Sequence, residues 1–259
     1  MITINFIYSI GFRCYSNSFL KNFNIKPISG PFDSIFIDIE TAFENINNNF
    51  DIFLSDIVII NKNKKQQNIY YSNKEISKKI TNFTENKNIG YMRDNYNDKD
   101  LIINNNFINY TPSNLYYWDR ICLFLHHNIT NKQIYDQINK RVNIFKNIYK
   151  NRNNDLCLFY ITKIIEEDNF ENYKMVINNL KNKYNINCYI IIIVCSEKWN
   201  NDYTFENNIL YIIKKVKNYN YQYNNYGTDN NLNYEEEYKI INKIFSLDLM
   251  NYEQIKLLF

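Results

Sequence analysis

The chain has 259 residues, with 30 Lys plus Arg against 27 Asp plus Glu and a net charge of +3, which excludes the strongly basic footprint of a nucleic-acid binder. Its five cysteines are odd in number and contain no C-x-x-C pair, which excludes a disulfide framework and a structural zinc site. No run reaches the ~18 apolar residues of a membrane span, so neither a nucleic acid nor a membrane is expected as a partner.

The opening MITINFIYSI carries no basic stretch followed by a small-residue cleavage site, and so reads as a strand over 2–10 in an intracellular, cytoplasmic chain. Gly11 breaks that strand. CYSNSFLKNF, 14–23, then winds as a short helix with Phe19, Leu20 and Phe23 on one face. Next comes IKPISGPFDS, 25–34, which holds two of the three prolines and one of the four glycines and reads as a rigid loop. From 38 to 54, Ile39, Phe43, Ile46, Phe50 and Phe53 recur at helical spacing and predict an amphipathic helix.

Residues 56–112 read as mixed structure, with strands at 56–60 and around 89–92 and the basic KNKK at 62–65 in a solvated loop. The apolar ICLFLHH, 121–127, follows, and Thr130 with Gln133 has the spacing of a capping box opening a helix to about Lys150. A strand at 155–161, a helix at 170–184, strands at 188–195 and 208–216 and a helix at 234–245 complete the series. Alternation of this kind, with nearly continuous apolar strands, predicts an α/β fold: three layers, a mostly parallel sheet with helices on both faces, in a single compact domain over 1–259. The Asn excess interleaves with apolar periodicity throughout and reflects codon composition. Only four glycines are present, and they form neither a G-x-G-x-x-G nor a P-loop, so no nucleotide cofactor is expected on those grounds.

Cys122, Cys157, Cys188 and Cys195 lie in apolar surroundings, where a free cysteine acts as a small hydrophobe. Cys14 stands apart, among polar residues at a strand-to-helix junction. Unpaired backbone N–H groups and the positive helix end favour a thiolate there. A nucleophilic cysteine needs a base, and His126 and His127 are the two histidines of the chain. Neighbours on an extended segment point to opposite faces, so one of the pair at most serves a shared cleft, and both together do not bind one metal. Asp33, in the proline-held loop, is the candidate for orienting the imidazole, with Asn128 the alternative. Each has a plainer reading: a buried thiol, hydrogen-bonded structural histidines and a turn carboxylate.

The order of these pieces resembles the papain-like cysteine peptidase family catalogued as a domain of unknown function in bacteria and large DNA viruses. The residues that carry the resemblance are Ser9, Gly11 and Cys14, then Pro31, Phe32 and Asp33, then Phe124, His126 and His127, with Arg141 and Phe145 in the following helix. Ile10 stands for the family's Leu, Ser34 for its Trp and Asn128 for its Asp. The resemblance implies a thiol hydrolase acting on a peptide or isopeptide bond of a peptide or protein substrate without metal or cofactor, in the host cytoplasm if the chain is viral. Cys14 would be the nucleophile and His127 the base, with Asp33 or Asn128 holding the ring. Two other classes stay open: a metal-dependent protein binding a nucleotide sugar through Asp98 and Asp100 in YNDKD, and an inactive interaction protein using its 24 Tyr and 18 Phe in packing and contact.

Overall fold

The computed structural model describes residues 1–11, 15–33, 35–55, 57–60, 101–104, 122–124, 127, 129, 131–162, 169–216 and 234–258. The central sheet has the order β2 (Phe6–Ser9), β7 (Leu156–Ile161), β8 (Tyr189–Ser196), β10 (Ile209–Lys215), β9 (Asp202–Glu206). Its first four strands run parallel, and β9 closes one edge antiparallel to β10. The predicted mostly parallel α/β sheet is therefore present.

Parallel strands covered on both sides bury every residue, and β8 does so from Ile190 to Ser196. Ile190, Ile192 and Val194 face one apolar cluster, where α2 (Ile39–Asn47), α3 (Lys132–Arg152) and α4 (Phe170–Lys183) contribute Phe43, Phe145 and Tyr173. Ile191, Ile193 and Cys195 face the other, against Phe19 and Leu20 of α1 (Tyr15–Asn22) and Ile241 of α5 (Glu235–Ile244). Each aliphatic side chain taken out of water contributes about 1.5–3 kcal/mol. Helices on both faces give the three layers expected.

The predicted first strand is two. β1 (Ile2–Ile4) pairs with β11 (Phe245–Leu247), whereas β2 pairs with β7. Asn5 is the switch between them: its amide nitrogen donates to Asp155, and its side chain and carbonyl bond to the backbone of Asp248 and Met250. A second sheet, antiparallel and ordered β3 (Phe36–Ile37), β6 (Cys122–Leu123), β5 (Leu101–Asn104), β4 (Ile57–Ile60), lies outside the main one. The strand expected at 56–60 is β4, while that expected around 89–92 falls outside the described residues.

Three further readings are corrected. The helix predicted over 38–54 stops at Asn47, because Asn49 and Phe50 adopt φ of 55° and 61°, in the left-handed region that ends helices. Phe50 and Phe53 nevertheless stay buried, so their spacing reported burial and not helix. The cap of α3 is Asn131, whose side chain accepts from the Gln133 amide at 2.9 Å, one residue after the Thr130 expected. Finally, β9 and the short α6 (Tyr252–Lys256) were not anticipated. Helix α6 opens on a capping box between Asn251 and Gln254.

Gly11 matters for approach and not for backbone angle. A Cβ there would lie 2.1 Å from Ser16 Oγ, and that oxygen accepts from the Ile161 amide at 2.9 Å. The missing side chain thus lets the first turn of α1 dock on the carboxyl end of β7. Among the described residues no helix is long and apolar enough to cross a membrane.

Candidate functional site

Open α/β sheets bind ligands beyond the carboxyl ends of their strands, and Asp33 and His127, the candidate residues described, lie at the carboxyl end of β2. Ser9 is its last residue. The proline-rich loop that follows α1 folds back over this end and turns between Gly30 and Asp33. Gly30 is required by closeness, since a Cβ would stand 2.6 Å from the Tyr8 ring. Phe32 anchors the turn from below, packed on Phe50 and Phe53 at 5.4 Å and on Phe145 at 6.4 Å between ring centroids.

Asp33 carries most of the polar order. Its carboxylate accepts from Ser9 Oγ at 2.6 Å and from the Gly30 amide at 2.8 Å. It also pairs with the Lys26 ammonium, which donates in addition to Asn17 Oδ1 on α1. Both partners of the ion pair are buried, with side chains only 6% and 5% exposed. Burial pushes the Lys26 ammonium below its ordinary value and outweighs the opposing pull of Asp33. The Tyr8 hydroxyl beneath has no hydrogen-bond partner among the described residues, and burial with the Asp33 charge nearby holds the phenol well above its ordinary value.

His127 reaches the same turn from the other side of the chain. Its Nε2 lies 3.0 Å from the backbone carbonyl oxygen of Asp33. A carbonyl only accepts, so Nε2 carries the proton and Nδ1 of the neutral ring is left as the acceptor. The side-chain oxygens of Asp33 are occupied by Ser9, Lys26 and Gly30, and the atom that orients the imidazole belongs to the main chain. Burial lowers the His127 pKa from its ordinary value, the Asp33 carbonyl opposes that, and the nearby Arg141 charge adds to it. The ring is therefore a neutral base at physiological pH.

That shift makes a measurable prediction. In a Cys14→Ala chain, which removes any neighbouring thiolate, the His127 imidazole should titrate below 6.5, the ordinary value, in a proton NMR titration. With the folded pKa below the unfolded one, His127's contribution to stability is complete above the ordinary value. It is lost as the pH falls through it toward the folded pKa. A midpoint at or above the ordinary value would contradict the burial described.

The structure thus brings Asp33 and His127 together, while Cys14, His126 and Asn128 lie outside the described residues. In sequence, Cys14 directly precedes Tyr15, the first residue of α1. Asp98 and Asp100 also fall outside the described residues. The other four cysteines are buried as expected. Burial holds the thiols of Cys122 and Cys157 well above the ordinary value and pushes that of Cys188 up to about 12. Lys26 and Asn17 had not been singled out. No periodicity marks a buried lysine next to a proline, and only the clustering of polar residues around PISGPFD hints at a turn in need of partners.

Arg141 and Phe145, one turn apart on α3, both serve this site: Phe145 supports Phe32, and Arg141 lies in electrostatic range of His127 and Lys26. Among the described residues no group of three or more His, Cys, Asp or Glu side chains is placed to hold a metal ion. A family model described as "Putative papain-like cysteine peptidase (DUF1796)" matches residues 5–198, which takes in β2, the Asp33 turn, His127 and Arg141. No match was found among curated proteins or among solved structures.

Proposed function

The chain belongs to the family described as "Putative papain-like cysteine peptidase", and from that premise we propose that it is a thiol-dependent hydrolase of peptide or isopeptide bonds in the cytoplasm. His127 Nδ1 takes the proton of the Cys14 thiol, and the thiolate attacks the carbonyl carbon of a peptide or protein substrate. The tetrahedral oxyanion is met by backbone N–H groups at the start of α1. As the carbon–nitrogen bond breaks, the imidazolium returns its proton to the leaving amine. Water, deprotonated by the same ring, then hydrolyses the thioester and frees Cys14.

The observation that carries this reading is the 3.0 Å contact from His127 Nε2 to the Asp33 carbonyl. It favours the tautomer that leaves Nδ1 bare, as a base for a thiol requires, the duty performed by an Asn or Asp side chain in thiol and serine triads. The test compares reactivities within one molecule. Iodoacetamide under native conditions should alkylate Cys14 far faster than Cys122, Cys157, Cys188 and Cys195, as read by peptide mass spectrometry of timed samples. Equal rates at all five cysteines would end the proposal.

A further inference from the structure

Between the loop that follows α1 and the helices α3 and α6 lies a hollow of about 360 Å³ that none of the chemistry above uses. One wall is the stretch from Pro27 to Ile28, in the loop that carries Lys26 and leads into the Asp33 turn. A second is α3, through Lys140, Arg141 and Ile144, and the third is Tyr252 of α6. The hollow shares its loop with the Asp33 turn, and Arg141 lies in electrostatic range of His127.

Its chemistry is specific. Pro27, Ile28, Ile144 and the Tyr252 ring offer apolar walls, and two cations stand over them. Among the described residues neither Lys140 nor Arg141 has an ion-pair partner. Asp33 is held by Ser9, Lys26 and Gly30, Glu253 pairs with Lys256 at 2.8 Å, and Asp136, one turn before Lys140 on α3, lines a neighbouring hollow together with it. Lys140 Nζ also sits 5.6 Å from the centre of the Tyr252 ring, a cation–π distance that holds the ammonium at the rim. An unpaired guanidinium presents a planar fork that matches a carboxylate, and apolar walls below it suit a short methylene stem.

We propose that this hollow is the substrate subsite for a carboxylate on a short apolar stem, either a glutamyl side chain or the free carboxyl end of a peptide. The identity of the ligand as part of a substrate rests on the thiol-hydrolase reading; the binding itself does not. Tyr252 lies beyond residues 5–198, the part matched by the family model, so one wall of the subsite comes from outside that match.

The test uses the full chain with Cys14→Ser, so that nothing is turned over, and fluorescein-labelled hexapeptides read by anisotropy at constant salt. Three peptides are compared: a central Glu with an amidated end, the same peptide with Gln, and the Gln peptide with a free carboxyl end. One of the two acids should bind about tenfold more tightly than the Gln amide, as expected for a charged hydrogen bond, and which of them does so identifies the source of the carboxylate. Arg141→Gln should erase that difference. Arg141→Glu should turn the preference toward a Lys peptide, with thermal melts confirming that both variants fold. Absence of measurable binding, equal binding of all three peptides, or a preference that survives Arg141→Gln would overturn the subsite. A wild-type Cys14 that alkylates no faster than the buried cysteines, alongside an intact Arg141-dependent preference, would remove the hydrolase reading and leave the subsite standing.

Discussion

Lys26→Met is expected to cost about 3–5 kcal/mol of folding stability, the loss typical of removing one partner from a buried ion pair. An exposed pair would cost at most about 1 kcal/mol, and the near-complete burial of both side chains decides between the two. The damage comes from the charge left behind. Asp33 would keep Ser9 and the Gly30 amide, but it would have lost the one cation paired with it among the described residues, in a setting poor in water. Adding Asp33→Asn to Lys26→Met should therefore restore part of the loss, since an amide needs no counter-charge. Urea denaturation of wild type, both single variants and the double variant closes the cycle. A loss below about 1 kcal/mol for Lys26→Met would mean that the pair is solvated.

His127→Ala has the largest expected effect on chemistry. General-base catalysis by a positioned imidazole is worth about 10²–10⁴-fold, and that is the drop expected in hydrolysis of any peptide substrate. Alkylation gives a reading that needs no substrate: an unassisted thiol with a pKa of ~8.5 is only a few per cent thiolate at neutral pH, so the Cys14 rate should fall about tenfold. Asp33→Asn separates two versions of the site. Were the carboxylate the orienting group, this exchange would harm catalysis almost as much as loss of the base. Because the carbonyl of residue 33 accepts from Nε2, Asp33→Asn should lose much less rate than His127→Ala, with its main cost appearing in stability. Matched losses in the two variants would return the role to the carboxylate.

Legibility in the sequence followed physical scale. β8 was readable because CYIIIIVC buries both faces, and a strand with no wet side has no polar residues to interrupt it. The end of α2 was not. The apolar spacing through Phe50 and Phe53 continues past the point where left-handed backbone at Asn49 and Phe50 has stopped the helix. β3 and β6, two residues each, are shorter than any periodicity can reveal. The candidate site shows the same limit at the scale of atoms. Residue types and spacing singled out Asp33 and His127, but they could not tell a carboxylate from a carbonyl of the same residue. The ionic contact with Lys26 was hidden because its meaning depends on burial, which a loop sequence does not encode.

An imidazole gripped by main-chain oxygen is insured against drift in the side chains around it. Every L-amino acid has the same carbonyl, so exchanges among the side chains around the turn leave that contact available to the ring. What the contact depends on is the path of the turn: the small residue at 30, the aromatic wedge at 32 and the cation that neutralises 33.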